Sequence, residues 1–173
     1  MVLYHGTNLV SSESILKEGI QLSKGRREAD FGIGFYATQD LEFAKRCAYR
    51  KSFRSRPVVL KIEFDYDKAK DAIKSYYSPN LEWAQFIVNN RNGLEYANAM
   101  PVGKREHNID GKYDIVYGKI ADIDVVGVAE RLKTKGMPIS NFLLRKLIND
   151  EYPSQYSFHS KKSLEYIQKV WRV

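Results

Sequence analysis

Two short stretches and one later residue have the types and spacing that could do chemistry. The first is His5-Gly6-Thr7, delivered by the apolar run Val2-Leu3-Tyr4. A strand ending in histidine and glycine lets an imidazole and bare backbone reach one ligand. The second is Asp30-Phe31-Gly32-Ile33-Gly34-Phe35-Tyr36-Ala37-Thr38. Its alternate glycines permit a tight turn into a short strand, from which Tyr36 faces whatever lies above. The third is Gln155, a polar residue opening the alternating segment Gln155-Tyr156-Ser157-Phe158-His159.

Other chemistries lack their residues. The histidines His5, His107 and His159 are scattered, with no HExxH and no paired cysteines, so no metal is expected. There is no phosphate-binding P-loop, no GxSxG elbow and no Cys-His pair with local support. Gly32-Ile33-Gly34 is followed by Ala37 where a dinucleotide fingerprint wants a small residue. It opens a strand instead of a helix, which argues against that reading.

The elements that must position these residues belong to one domain, residues 1–173, long enough to bury roughly two-thirds of its unfolded surface. The 43% hydrophobic and 28% charged fractions suit a globular fold. No apolar run approaches the roughly 18 residues of a membrane span, and the N-terminus lacks a secretory pattern, so a cytoplasmic protein without membrane contact is expected. The single Cys47 allows no internal disulfide and is expected to pack in the core. The net charge of +7 favours anionic partners such as a pyrophosphate, a nucleic acid or an acidic protein surface. The excess is densest at Lys24, Arg26 and Arg27, and again at Lys45, Arg46, Arg50, Lys51, Arg54 and Arg56.

Periodicity places a first strand at Val2 to Tyr4 and a short helix at Ser14 to Glu18, capped by Ser11 or Ser12 and stopped by Gly19. Ser23 to Ile33 is an aperiodic loop before the glycine-aromatic strand, where a mobile cover over a ligand would sit. Asp40 caps a helix running to about Phe53. Pro57 to Asp65 alternates as a half-buried strand, and a second strand is placed around Ala72 to Ser75. Ser78-Pro79-Asn80 opens a largely buried helix through Trp83 and Phe86. Asp114 to Gly118 reads as an inner strand, Asp122 to Lys135 and Ser140 to Ile148 as helices, and Gln155 to His159 as a strand. Ser160 is expected to cap a last helix carrying Leu164, Ile167 and Val170. Strands and helices interleave irregularly, which indicates an α+β fold.

The order of His5-Gly6-Thr7, Gly34-Phe35-Tyr36 and Gln155 resembles the ADP-ribosyltransferase superfamily, in its diphtheria-toxin and poly-ADP-ribose-polymerase branch with a His-Tyr-Glu triad. The similarity is greatest to a bacterial family of unknown function within it. That likeness is carried by Tyr4 to Thr7, Asp30 to Tyr36, Val58 to Leu60, Trp83 to Arg91, Asp114 to Gly118 and Gln155 to His159. It implies two small sheets flanked by helices, with NAD as co-substrate in the cleft between them. It also implies a mono-ADP-ribosyltransferase, a toxin or effector acting on a protein or nucleic-acid acceptor, with a small cognate antitoxin as a further partner. By that resemblance His5, Tyr36 and Gln155 are the catalytic positions, and Gly6, Thr7, Phe31, Gly34 and Phe35 join His5 and Tyr36 in holding the cofactor. His5 is then to bond a ribose hydroxyl, Gly6 to let backbone approach the nicotinamide amide, and Tyr36 to stack on the cationic ring. Gln155 departs from the triad glutamate and cannot take a proton, which favours single transfer over chain elongation. Another carboxylate, Glu151 or Glu165, is the alternative. NAD hydrolysis is one competing expectation; an idle module binding NAD, ADP-ribose or nucleic acid is the other.

Overall fold

Apolar alternation and side-chain caps account for most of the elements in a computed structural model, which describes residues 1–53 and 55–173. Arg54, one member of the basic run, lies outside them. The first half of the chain forms β1 (Val2–Asn8), α1 (Leu9–Glu18), β2 (Phe35–Thr38), α2 (Leu41–Lys51), β3 (Pro57–Phe64), α3 (Tyr66–Ala69) and β4 (Ile73–Tyr76). The second half forms α4 (Leu81–Asn92), α5 (Leu94–Ala99), β5 (Ile115–Lys119), α6 (Val125–Lys135), α7 (Asn141–Leu144), β6 (Ser154–Phe158), α8 (Lys161–Leu164) and β7 (Ile167–Arg172).

The architecture is α+β. Among the described residues the strands form one seven-stranded mixed sheet in the order β4-β5-β6-β2-β1-β3-β7, in which only β4 and β5 run parallel. The expected pair of separate sheets is therefore replaced by one connected sheet. Its centre is thin: β1 joins β2 through the single pair Tyr4↔Thr38, whereas β1 pairs with β3 from Val2↔Glu63 to Asn8↔Pro57.

Both faces are covered. On one, α4, α6 and α7 bury Trp83, Phe86, Ile87, Val128 and Leu143 against Val116, Phe31 and Tyr76. On the other, Leu3, Ile62, Phe64, Ile115, Tyr156 and Phe158 pack with Ile15, Tyr66 and Leu164. The caps follow local chemistry. Asp40 accepts from Phe43 N–H at 2.7 Å, and Asn80 accepts from Trp83 N–H at 2.9 Å, each satisfying an orphan donor of the first turn.

Four local expectations change. β1 continues through His5, Gly6 and Thr7, because β3 offers pairing partners along its whole length. Asn8, not Ser11 or Ser12, caps α1, and accepts from Ser11 N–H at 2.9 Å. The helix expected from Ser140 to Ile148 ends after Leu144 in a 3-10 turn, Arg145–Leu147. The last helix is the largest correction: Ser160 does cap a helical turn, with a capping box to Ser163, but Ile167 to Arg172 is a strand on β3. The Leu164, Ile167, Val170 spacing fits a helix in isolation, yet it cannot supply β3 with the hydrogen-bonding neighbour that its free edge requires. Glu165 consequently sits exposed at the end of α8.

Gly6 is where β1 meets α2. A Cβ there would be 2.7 Å from Ala48 N and closer still to the Ala44 carbonyl, so the helix backbone rests directly on the strand. Neither neighbour is a flexible side-chain end, and overpacking of this kind costs about 1–3 kcal/mol or more. Gly6→Ala is accordingly expected to lower the urea-unfolding free energy by at least about 1 kcal/mol; an unchanged midpoint would show that α2 can move away.

Candidate functional site

The thin centre of the sheet creates the site. Beyond the Tyr4↔Thr38 pair no further ladder pair joins β1 to β2. The His5 imidazole takes up the slack by placing Nδ1 2.6 Å from the Tyr36 carbonyl. A carbonyl can only accept, so Nδ1 carries the proton and Nε2 of the neutral ring is left as an acceptor. Phe35 stacks on this imidazole with ring centroids 4.4 Å apart.

A cleft of about 650 Å³ opens at this split. Its walls include His5 and Thr7 of β1, Gly34, Phe35 and Tyr36 at and before β2, and Gln155 of β6. Register explains part of the convergence: Tyr36 pairs with Ser157 and Thr38 with Gln155, so Tyr36 and Gln155 project from the same face. The outer walls come from α1, α2 and the segment from Gly19 to Asp30. Lys24, Arg26, Arg50 and Lys51 bring positive charge to the walls.

Tyr36 is half-buried and its hydroxyl is committed. It donates to the Gly32 carbonyl at 2.6 Å and accepts from Phe31 N–H at 3.1 Å. Burial, reinforced by the Asp30 carboxylate, pushes the phenol pKa up, so it stays protonated and closes the loop on itself. What it offers a ligand is its ring. Gly34 must be bare because a Cβ would lie 2.6 Å from the Phe158 carbonyl and 2.7 Å from His159 Nδ1. His159 crosses beneath, bonded through Nδ1 to the Ile33 carbonyl and through Nε2 to Ser157 Oγ, both at 2.8 Å.

Two of the expected cofactor contacts do not line the cleft. Phe31 is fully buried in the core, and Gly6 is turned against α2, its carbonyl accepting from Lys51 Nζ at 2.9 Å. Lys51 is exposed overall, but partial burial of its ammonium draws its pKa down. Cys47, expected in the core, is half-buried on the cleft wall with Arg50 Nη2 3.3 Å from its sulfur. Glu151 and Glu165 are both exposed and do not line the cleft. Among the described residues no three His, Cys, Asp or Glu side chains are grouped to hold a metal.

Residues 1–169 match a family model described as a protein of unknown function, DUF3990. The chain belongs to that family. No curated protein and no solved structure matches it. No helix is long and apolar enough among the described residues to cross a membrane.

Sequence reasoning singles out the segments but misses the group at their meeting point. Asp30 is 6% exposed and accepts from Arg91 Nε at 3.0 Å and Nη2 at 2.5 Å through one oxygen. Its other oxygen accepts from Ala121 N–H at 3.2 Å and faces Gln155 Nε2 at 3.5 Å. Asn90 holds the Asp30 carbonyl and receives Asn108 N–H. The available signal is a buried-type pairing of Asp30 in the glycine loop with Asn90-Arg91 at the end of α4, both inside segments already singled out.

Two histidines are expected to make the fold acid-sensitive. Burial, then the Lys51 charge, pushes His5 down to about 3, and burial pushes His159 down to about 4. Below about pH 6.5 an unfolded chain binds protons that the fold refuses, so stability declines as pH falls from there toward 4. His159→Gln is expected to flatten that slope, measured as the urea midpoint against pH. A slope identical to wild type would mean that His159 titrates normally in the fold.

Proposed function

We propose that the cleft binds NAD as co-substrate and that the protein is a mono-ADP-ribosyltransferase, transferring ADP-ribose to a protein or nucleic-acid acceptor. The observation that supports this most is the gathering of His5, Tyr36 and Gln155, from three distant stretches, around one cleft at the split in the sheet. Its volume falls within the roughly 300–1,000 Å³ of small-ligand sites. The thin junction between β1 and β2 is also what a two-sheet arrangement of this type would need at its centre.

The side chains have matching roles. His5 Nε2 accepts from a ribose hydroxyl, and the Tyr36 ring lies against the nicotinamide cation. The C–N glycosidic bond breaks with its electron pair leaving on nicotinamide, which becomes neutral, while the ribose develops oxocarbenium character. The acceptor's nucleophile then bonds to that carbon and gives up its proton to solvent. Gln155 accepts from the ribose 2'-hydroxyl and orients it without removing a proton. Catalysis rests on positioning more than on general-base chemistry, so the acceptor brings its own nucleophilicity. The excess positive charge of the chain suits the pyrophosphate and an anionic acceptor.

Calorimetry with NAD, followed by mass spectrometry of products, tests this. Tyr36→Ala is expected to weaken NAD binding by about 1–2 kcal/mol, whereas Tyr36→Phe, which keeps the ring and loses only the hydroxyl's bonds to Phe31 and Gly32, weakens it less. ADP-ribose on a macromolecule supports transfer, and free ADP-ribose identifies a hydrolase instead. NAD that binds and stays intact marks a binding module, and no binding at millimolar NAD removes the proposal altogether.

A further inference from the structure

We infer that Asp30 is the positioning residue of the cleft, fixing which half of the Gln155 carboxamide meets the ligand. The role rests on the NAD-binding cleft proposed above. Only the NH2 half of a carboxamide can face a carboxylate, so the contact of Gln155 Nε2 with Asp30 Oδ2 turns Oε1 away from Asp30. Gln155 is 9% exposed and lines the cleft, and its oxygen is then the group offered to a hydroxyl donor.

The direction of control follows from the anchoring. Asp30 is held by Arg91 of α4, by Ala121 N–H beyond β5, and through its own carbonyl by Asn90. Gln155 has three side-chain torsions, and among the described residues its Nε2 is held by Asp30. The anchored carboxylate therefore dictates and the flexible amide follows. The same geometry explains why position 155 carries an amide: a second carboxylate there would face Asp30 at about the same separation, and like charges so close disfavour joint ionisation. A site with Asp30 in place works with a glutamine and resists a glutamate.

The test is a reciprocal exchange at pH 7: D30N, Q155E and the double variant D30N/Q155E, each measured for NAD affinity by calorimetry and for its urea midpoint without NAD. Each single change is expected to weaken NAD binding about tenfold, one by freeing the amide to turn over and the other by setting two carboxylates together. The double variant restores one carboxylate and one amide across that contact, while Arg91 and Ala121 N–H still lack the Asp30 carboxylate, so its loss of affinity should be clearly smaller than the two single losses combined. A merely structural contact would move the urea midpoint and leave NAD affinity unchanged. Additive losses in the double variant, or single variants that bind as wild type, overturn the inference. Should the variants at Asp30 fail to fold, Q155E alone decides: NAD binding as tight as wild type overturns the inference. If wild type does not bind NAD but the urea midpoints still show rescue, the Asp30–Gln155 coupling stands and the NAD proposal fails. Midpoints without rescue in that case end both.

Discussion

The site depends on a ladder that stops after one rung. β1 and β2 share only the Tyr4↔Thr38 pair, so the backbone groups beyond it need other partners. The His5 imidazole supplies one by bonding the Tyr36 carbonyl. Had the ladder continued, main-chain bonds would have filled that gap and no cleft would separate the two halves of the sheet. A polar side chain in place of a rung keeps the backbone satisfied while leaving the cleft open.

The two sides of the split are braced differently. The β1 side is stiffened by close contact: Gly6 admits the backbone of α2, and Lys51 at the end of that helix returns to the Gly6 carbonyl. The β2 side is stiffened by a polar knot. The Tyr36 hydroxyl ties the loop at Phe31 and Gly32, and Asp30 ties the same loop to Arg91 and Ala121. Buried ion pairs contribute little net stability when compared with apolar replacements, but they allow few alternative geometries. Here that specificity falls on the residue facing Gln155.

How far the chain can be read without coordinates depends on whether an element's partner is local. The Asp40 and Asn80 caps, the alternation of β3 and the apolar sweep of α4 are short-range, and all are found where the pattern places them. The end of the chain differs from its pattern because Leu164, Ile167 and Val170 satisfy helical spacing, while the need of β3 for a neighbour is invisible in that window. Gly6 illustrates the same limit. A glycine beside a histidine suggests access to a ligand, and its actual neighbour is the backbone of α2. Cys47 is spaced with the buried Ala44 and Ala48, but those two face β1 and β3 while Cys47 lies at the edge of that face and lines the cleft.

The residue types available for chemistry, the α+β class and the starts of α2, α4, α7 and α8 follow from the amino-acid order alone, since caps and alternation act within a few residues. So does the limit at position 155, an amide that can orient a hydroxyl but not accept its proton. Long-range packing was needed to bring His5, Tyr36 and Gln155 to one cleft, to put Phe31 in the core and to stand Asp30 against Arg91 and Gln155. Those outcomes depend on sheet order and on where one ladder ends. Both are set by contacts between segments tens of residues apart, which no local pattern encodes.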